Sequence, residues 1–131
     1  MTSDKVIRIW RVPSQHNIPG LKHTIVWIEE GTDKAGMQHI LRHKDQFESK
    51  GILEANIAEV AEAASTVGMQ GGMQRSRPIL LLYFYDKPIA VAISIGSNGF
   101  VVGMNPRNFD DFATKAKISL DHLRAISSWP R

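Results

Sequence analysis

The chain contains no cysteine. That absence excludes disulfide staples, thiolate catalysis and cysteine-based zinc sites together. No apolar run approaches the roughly 20 residues that a membrane span needs, so no spanning segment is expected. Walker-type phosphate loops, the Gly-x-Gly-x-x-Gly dinucleotide fingerprint and the Gly-x-Ser-x-Gly elbow are all missing. The glycines between Gly68 and Gly72 fit none of those patterns. Aromatic residues make up only 8% of the chain, and Trp10, Trp27 and Trp129 are not interleaved with basic residues. These tryptophans are expected in the core or at its rim. There are no internal repeats and no low-complexity segments.

What is present suits one domain, residues 1–131, with a core of its own: 131 residues, of which 43% are hydrophobic. The net charge is +3 and the sequence pI about 9.4. This mild basicity fits a nucleic-acid partner, but many domains without one are equally basic. Met1-Thr2-Ser3-Asp4-Lys5 has no signal-peptide pattern.

The order of elements predicts an α+β fold: N-terminal strands, two helices, an antiparallel β-meander and a C-terminal helix. Val6–Val12 and His23–Ile28 are β-branched and aromatic and read as a hairpin, joined by a loop over Pro13–Gly20. A helix is expected over Lys34–Ser49, capped by Thr32 or Asp33 and buried through Met37, Ile40, Leu41 and Phe47. A second is expected over Asn56–Ser65, opened by the capping box Asn56–Glu59. Val67–Gln74 reads as a mobile glycine-rich loop. Ile79–Tyr85, Ile89–Ile95 and Phe100–Met104 form the meander, with Tyr83 and Tyr85 on one face. Asn98-Gly99 suits a type I′ turn, and Asn105 leaves the sheet. The tail helix runs over Phe109–Trp129, with Ser119 able to cap a separate second half.

Chemistry concentrates in a few places. His39 and His43 stand one helical turn apart, beside Arg42 and Lys44. Steps of 100° place His39 opposite the apolar stripe and His43 near its edge. An unperturbed imidazole titrates near neutrality, which suits a general acid or base. A pair of histidines on a solvated helix face is the equally weighted alternative. His-x3-His spacing also suits zinc, but no Glu follows His39 and no third ligand is evident, so neither metal nor cofactor is expected. Arg75 and Arg77 precede the meander and Arg107 follows it, so they need not converge. Such guanidiniums contact phosphate and stabilise a pentacovalent transition state. Ser97 and Asn98 stand at the hairpin turn, where turn chemistry alone accounts for Asn98-Gly99.

Gly36-x2-His39-Ile40-x-Arg42-His43-x3-Phe47-x3-Gly51-Ile52, then the alanine helix after Ile57, an arginine before a strand, and Ile95-Gly96-Ser97-Asn98-Gly99-Phe100-Val101-Val102, form a longer pattern. Over about residues 36–107 this pattern is similar to the barnase/EndoU/colicin/RelE-like ribonucleases. Those domains stand at the carboxyl ends of contact-dependent inhibition and other polymorphic toxins of bacterial competition. The resemblance implies metal-independent cleavage of RNA, often transfer RNA, at a cytoplasmic site of action by a domain excised from a larger secreted toxin. It implies a cognate immunity protein as partner. It carries over a catalytic histidine, His39 or His43, and a basic or hydroxyl group on the sheet, Arg77 or Ser97. Arg42, Lys44, Arg75, Asn98 and Arg107 would then contact RNA. The competing reading is a non-catalytic binding domain, either an immunity-type protein or an RNA-binding module.

Overall fold

Val6–Arg11 (β1) and Ile25–Glu29 (β2) pair antiparallel, with Ile9 opposite Trp27 and Arg11 opposite Ile25. The computed structural model describes residues 1–14 and 18–131; of the expected loop over 13–20, residues 15–17 lie outside the described residues. The architecture is α+β. Three short helical segments follow the hairpin: Met37–Ile40 (α1), a 3-10 turn at Leu41–His43, and Lys44–Ser49 (α2). Ile57–Val67 (α3) then leads into Met69–Gln74 (β3), Arg77–Phe84 (β4), Lys87–Ile95 (β5) and Val101–Arg107 (β6). Phe109–Ala116 (α4), Leu120–Ile126 (α5) and Ser128–Trp129 (β7) close the chain.

The main sheet has the order β3-β4-β5-β6, all antiparallel, with β7 added parallel to the end of β4. The first hairpin docks on its β6 edge. Trp27 N–H donates to the Gly99 carbonyl at 3.0 Å, and Gly36 N–H to the Val102 carbonyl at 2.9 Å. Backbone pairing therefore carries the chain from β2 past the edge of β6 and straight into α1.

Side chains alternate across a strand, and here each face has its own core. Leu80, Leu82, Val91, Ile93 and Met104 pack against α3, the first hairpin, Ile40 and Phe47. Ile79, Leu81, Tyr83, Ala90 and Ala92 pack against Ala113 of α4 and Leu123 of α5. A buried polar pair ties the hairpin to α3. Trp10 Nε1–H donates to Ser65 Oγ at 2.9 Å, and that hydroxyl donates to the Ala61 carbonyl at 2.7 Å. Glu59 of α3 accepts from Tyr85 Oη and from Trp129 Nε1, which holds its carboxyl below the usual range and anchors the C-terminal segment.

Several expectations need correction. Val67–Gln74 is not a loop: Val67 ends α3, and Met69–Gln74 adds β3 to the three expected strands. Gly71 falls at a bulge between the Gln70–Leu80 and Gly72–Ile79 pairs. A Cβ there would stand 2.6 Å from Leu81 Cδ1, so a larger residue would have to displace that side chain. The single helix over 34–49 starts later and is broken by the 3-10 turn. Thr32 Oγ1 accepts from Lys34 N within a turn, and Gly36 at φ 90° precedes the first helical residue. Asn56 makes no side-chain cap, because a 3-10 turn at Glu54–Asn56 already leads into α3. Tyr85 and Asp86, both at positive φ, make the β4–β5 turn, so Tyr85 leaves the strand while Tyr83 stays buried. At the next turn only Gly99 has positive φ; Asn98 instead accepts from Phe100 N through Oδ1. Asn105 and Pro106 stay within β6. The tail divides at Ser119, whose hydroxyl caps α5 by accepting from His122 N. Among the described residues, no helix is long and apolar enough to cross a membrane.

Candidate active site

The α4/α5 face of the sheet is covered only along part of its length. Gly103, Asn105 and Arg107 alternate along β6 on this face, while Met104 points into the opposite core. Gly103 pairs with Ser94, two rows beyond the Asn105–Ala92 pair and the next on this face. The candidate site is built around Gly103.

Helix α1 brings His39 there. Its Ile40 is fully buried in the α3-side core, which turns the preceding residue over the edge of β6 toward the other face. A Cβ on Gly103 would stand 3.1 Å from Arg77 Nη2 and 3.3 Å from His39 Cδ2. The imidazole and the guanidinium thus rest side by side on the same bare glycine. Gly103 has no side chain to separate them.

The tautomer of His39 follows from its partner. Its Nδ1 lies 2.8 Å from the backbone carbonyl of Asp33. A carbonyl oxygen only accepts, so Nδ1 carries a proton and Nε2 is the nitrogen left to take or give one. The Asp33 carbonyl is held by a tight loop in which Thr32 N donates to the Ala35 carbonyl at 2.8 Å. Nε2 is bonded to the Cδ2 atom that faces Gly103.

His43 arrives by a different route than a continuous helix would give. The 3-10 turn changes the rotation between α1 and α2, and His43 itself has φ −101° and ψ 17°. It is half-buried. With Gln74, Arg75, Ser76, Arg77 and Asn105 it lines an open groove of about 510 Å³. Burial pushes its imidazole below the ordinary 6.5, and the charges of His39, Arg77 and Arg42 push the same way. His43 is therefore held neutral at physiological pH.

Arg77 is fixed from the sheet side. Its Nη1–H donates to Asn105 Oδ1 at 3.1 Å, Asn105 Nδ2 reaches Gln74 Oε1 at 3.4 Å, and Arg107 Nη1–H donates to the same Gln74 oxygen. The ion pairs among the described residues are Lys5–Glu30, Arg8–Glu62 and Lys44–Glu54. Neither guanidinium is neutralised by a carboxylate in that set. Both are oriented by amides, which direct a cation without cancelling it.

The expected site residues thus divide. His39, His43 and Arg77 come together, Arg107 is tied to them through Gln74, and Arg75 joins at the groove from the β3–β4 turn, at φ 56°. The expectation that His39 points away from the packed side is corrected: it is half-buried against β6. The separation expected between Arg77 and Arg107 is closed by the reach of the Arg107 side chain and by Gln74 on the additional strand. Arg42 is exposed and acts on His43 through its charge. Lys44 is exposed and paired with Glu54 at 3.7 Å. Ser97 is exposed at the hairpin tip, tied through its carbonyl to Lys22 N at 3.0 Å, and does not line the groove. Asn98 serves its own turn. Among the described residues no three His, Cys, Asp or Glu side chains group as metal ligands.

Gly103, Gln74, Asn105 and the Asp33 carbonyl belong to the site and were not anticipated. An isolated glycine in a strand pattern does signal close approach of another group. The amides carry no such signal, and a backbone carbonyl has none. Compared with protein-family models and with curated protein sequences, the chain matches none of them.

Proposed function

We propose that this chain is a metal-independent endoribonuclease, the toxin domain of a larger secreted protein, acting on RNA in the cytoplasm with transfer RNA among its targets. A cognate immunity protein would restrain it. The observation that carries this reading is the meeting of His39 and Arg77 on Gly103, with His43 lining the adjoining groove. Two imidazoles and an uncancelled guanidinium are the parts that RNA transesterification requires.

His43, held neutral, takes the proton from a ribose 2′-hydroxyl. The freed oxygen attacks the adjacent phosphorus in line, and the bond from phosphorus to the 5′-oxygen breaks. His39, as imidazolium, gives its Nε2 proton to that leaving oxygen. One proton is taken and one is given. The products are a 2′,3′-cyclic phosphate and a 5′-hydroxyl end. Arg77 faces the non-bridging oxygens, where charge accumulates in the transition state, and arrives already oriented by Asn105.

The test is incubation of the purified protein with total RNA in EDTA. Cleavage that falls about 10²–10⁴-fold in His39→Asn, with the fold intact, supports the assignment. RNA that is bound but left whole by the wild-type chain favours a non-catalytic RNA-binding module and contradicts it.

A further inference from the structure

The hydrogen-bonded chain that fixes Arg77 does not stop at the scissile position. It continues through Gln74 to Arg107, whose guanidinium carbon lies 4.8 Å from the centre of the Phe112 ring. Lys115 Nζ stands 5.7 Å from the same ring. Phe112 is half-buried: one edge packs beside Gly72 at 3.3 Å from a Cβ built there, and the rest borders a hollow of about 470 Å³. Arg107, Asp110, Asp111, Phe112, Thr114 and Lys115 line that hollow.

Resting on the nuclease reading, the geometry points to a second nucleotide subsite here, in which Arg107 holds a backbone phosphate and Phe112 stacks a base of the same RNA strand. Three observations support it. Arg107 is a cation bonded to a neutral amide, with no carboxylate among the recorded ion pairs of the described residues. Phe112 is half-exposed and lines the hollow beside the cations of Arg107 and Lys115, and base stacking tolerates any base. Finally, the Arg107 guanidinium is set apart from that of Arg77 by the Asn105 and Gln74 amides, so the phosphate it holds is not the one that Arg77 faces. The carboxylates of Asp110 and Asp111 line the same hollow, where they can accept hydrogen bonds from the amino and imino groups of a stacked base.

Binding of a fluorescein-labelled single-stranded RNA dodecamer of random sequence, measured by anisotropy on the His39→Asn background, tests this. Arg107→Gln should weaken binding about tenfold and lower the slope of log affinity against log salt by about 1, the signature of one lost phosphate contact. Phe112→Leu, which keeps an apolar side chain against Gly72, should weaken binding about tenfold with the salt slope unchanged. Phe112→Tyr should restore it. Parental affinity and slope in Arg107→Gln, or parental affinity in Phe112→Leu, overturns the subsite while leaving the nuclease reading standing. If the His39→Asn chain binds no RNA and the wild type cuts none, both fall together.

Discussion

Gly103 offers the sharpest way to disturb the site without disturbing the fold. Its φ lies outside the left-handed region, so alanine is permitted there on backbone grounds. A glycine-to-alanine change at a compatible position stabilises by about 0.4–1 kcal/mol, through the unfolded chain. The added Cβ would stand 3.1 Å from Arg77 Nη2 and 3.3 Å from His39 Cδ2. Comfortable separations are about 3.5–4.0 Å, so each group must retreat by a few tenths of an ångström. Misplacement of a reacting group by about 1 Å costs about 10²-fold. Gly103→Ala should therefore lower the rate of RNA cleavage about five- to tenfold, and the bulkier Gly103→Val about 10²-fold. Initial rates on total RNA in EDTA, paired with thermal melts, separate the two effects. The reasoning requires a melting temperature for Gly103→Ala at or above that of the wild type, beside reduced activity. A folded Gly103→Val chain with undiminished activity would refute the claim that His39 and Arg77 work together at this spot.

Other outcomes follow from the same geometry. Because His43 is depressed below 6.5 by burial and by neighbouring cations, the acidic limb of the pH–rate profile should fall below 6.5, and Arg42→Ala should move it upward; a limb that stays put in Arg42→Ala contradicts the electrostatic cause. The same depression has a stability consequence. The unfolded chain protonates first, so His43 contributes stability that is present above about 6.5 and lost as pH falls toward its folded value; denaturant titrations of His43→Gln should show a shallower loss over that window. Ser65→Ala leaves the buried Trp10 indole N–H without its acceptor and should cost about 1–3 kcal/mol by urea denaturation, with cleavage per folded molecule unchanged. Ser97→Ala should retain full cleavage, since that hydroxyl stands outside the groove; a loss of more than about tenfold, the scale of a catalytic contact, would return it to the site.

How far the sequence could be read is clearest element by element. β4, β5 and the hairpin strands were legible because they are dense in Val, Ile, Leu and aromatic residues between turn signals. β3 was not. Met69-Gln70-Gly71-Gly72-Met73-Gln74 has low strand propensity, and it pairs with β4 through a bulge at Gly71 that no local pattern marks. The residues of α1 and α2 were legible as helix formers, but the 3-10 turn at Leu41–His43 arises from packing and has no sequence mark. It changes where His43 points. The histidines and Arg77 were legible as chemistry; their convergence was not, because it depends on the docking of α1 across the β6 edge. That docking rests on backbone bonds from Trp27 and Gly36, and a main-chain bond carries no side-chain signal. Arg107 seemed remote from Arg77 for a similar reason: Gln74, which joins them, sits on the strand that read as a loop.

The central claim is that His39, its Nδ1 proton committed to the Asp33 carbonyl, works beside Arg77 on a phosphodiester. The most direct measurement is the end-group chemistry of RNA treated with the wild-type chain and with His39→Asn in EDTA. The account predicts 2′,3′-cyclic phosphate and 5′-hydroxyl ends from the wild type, and their near-complete loss in the folded variant. Intact RNA from the wild type, or identical cleavage by both chains, would contradict it.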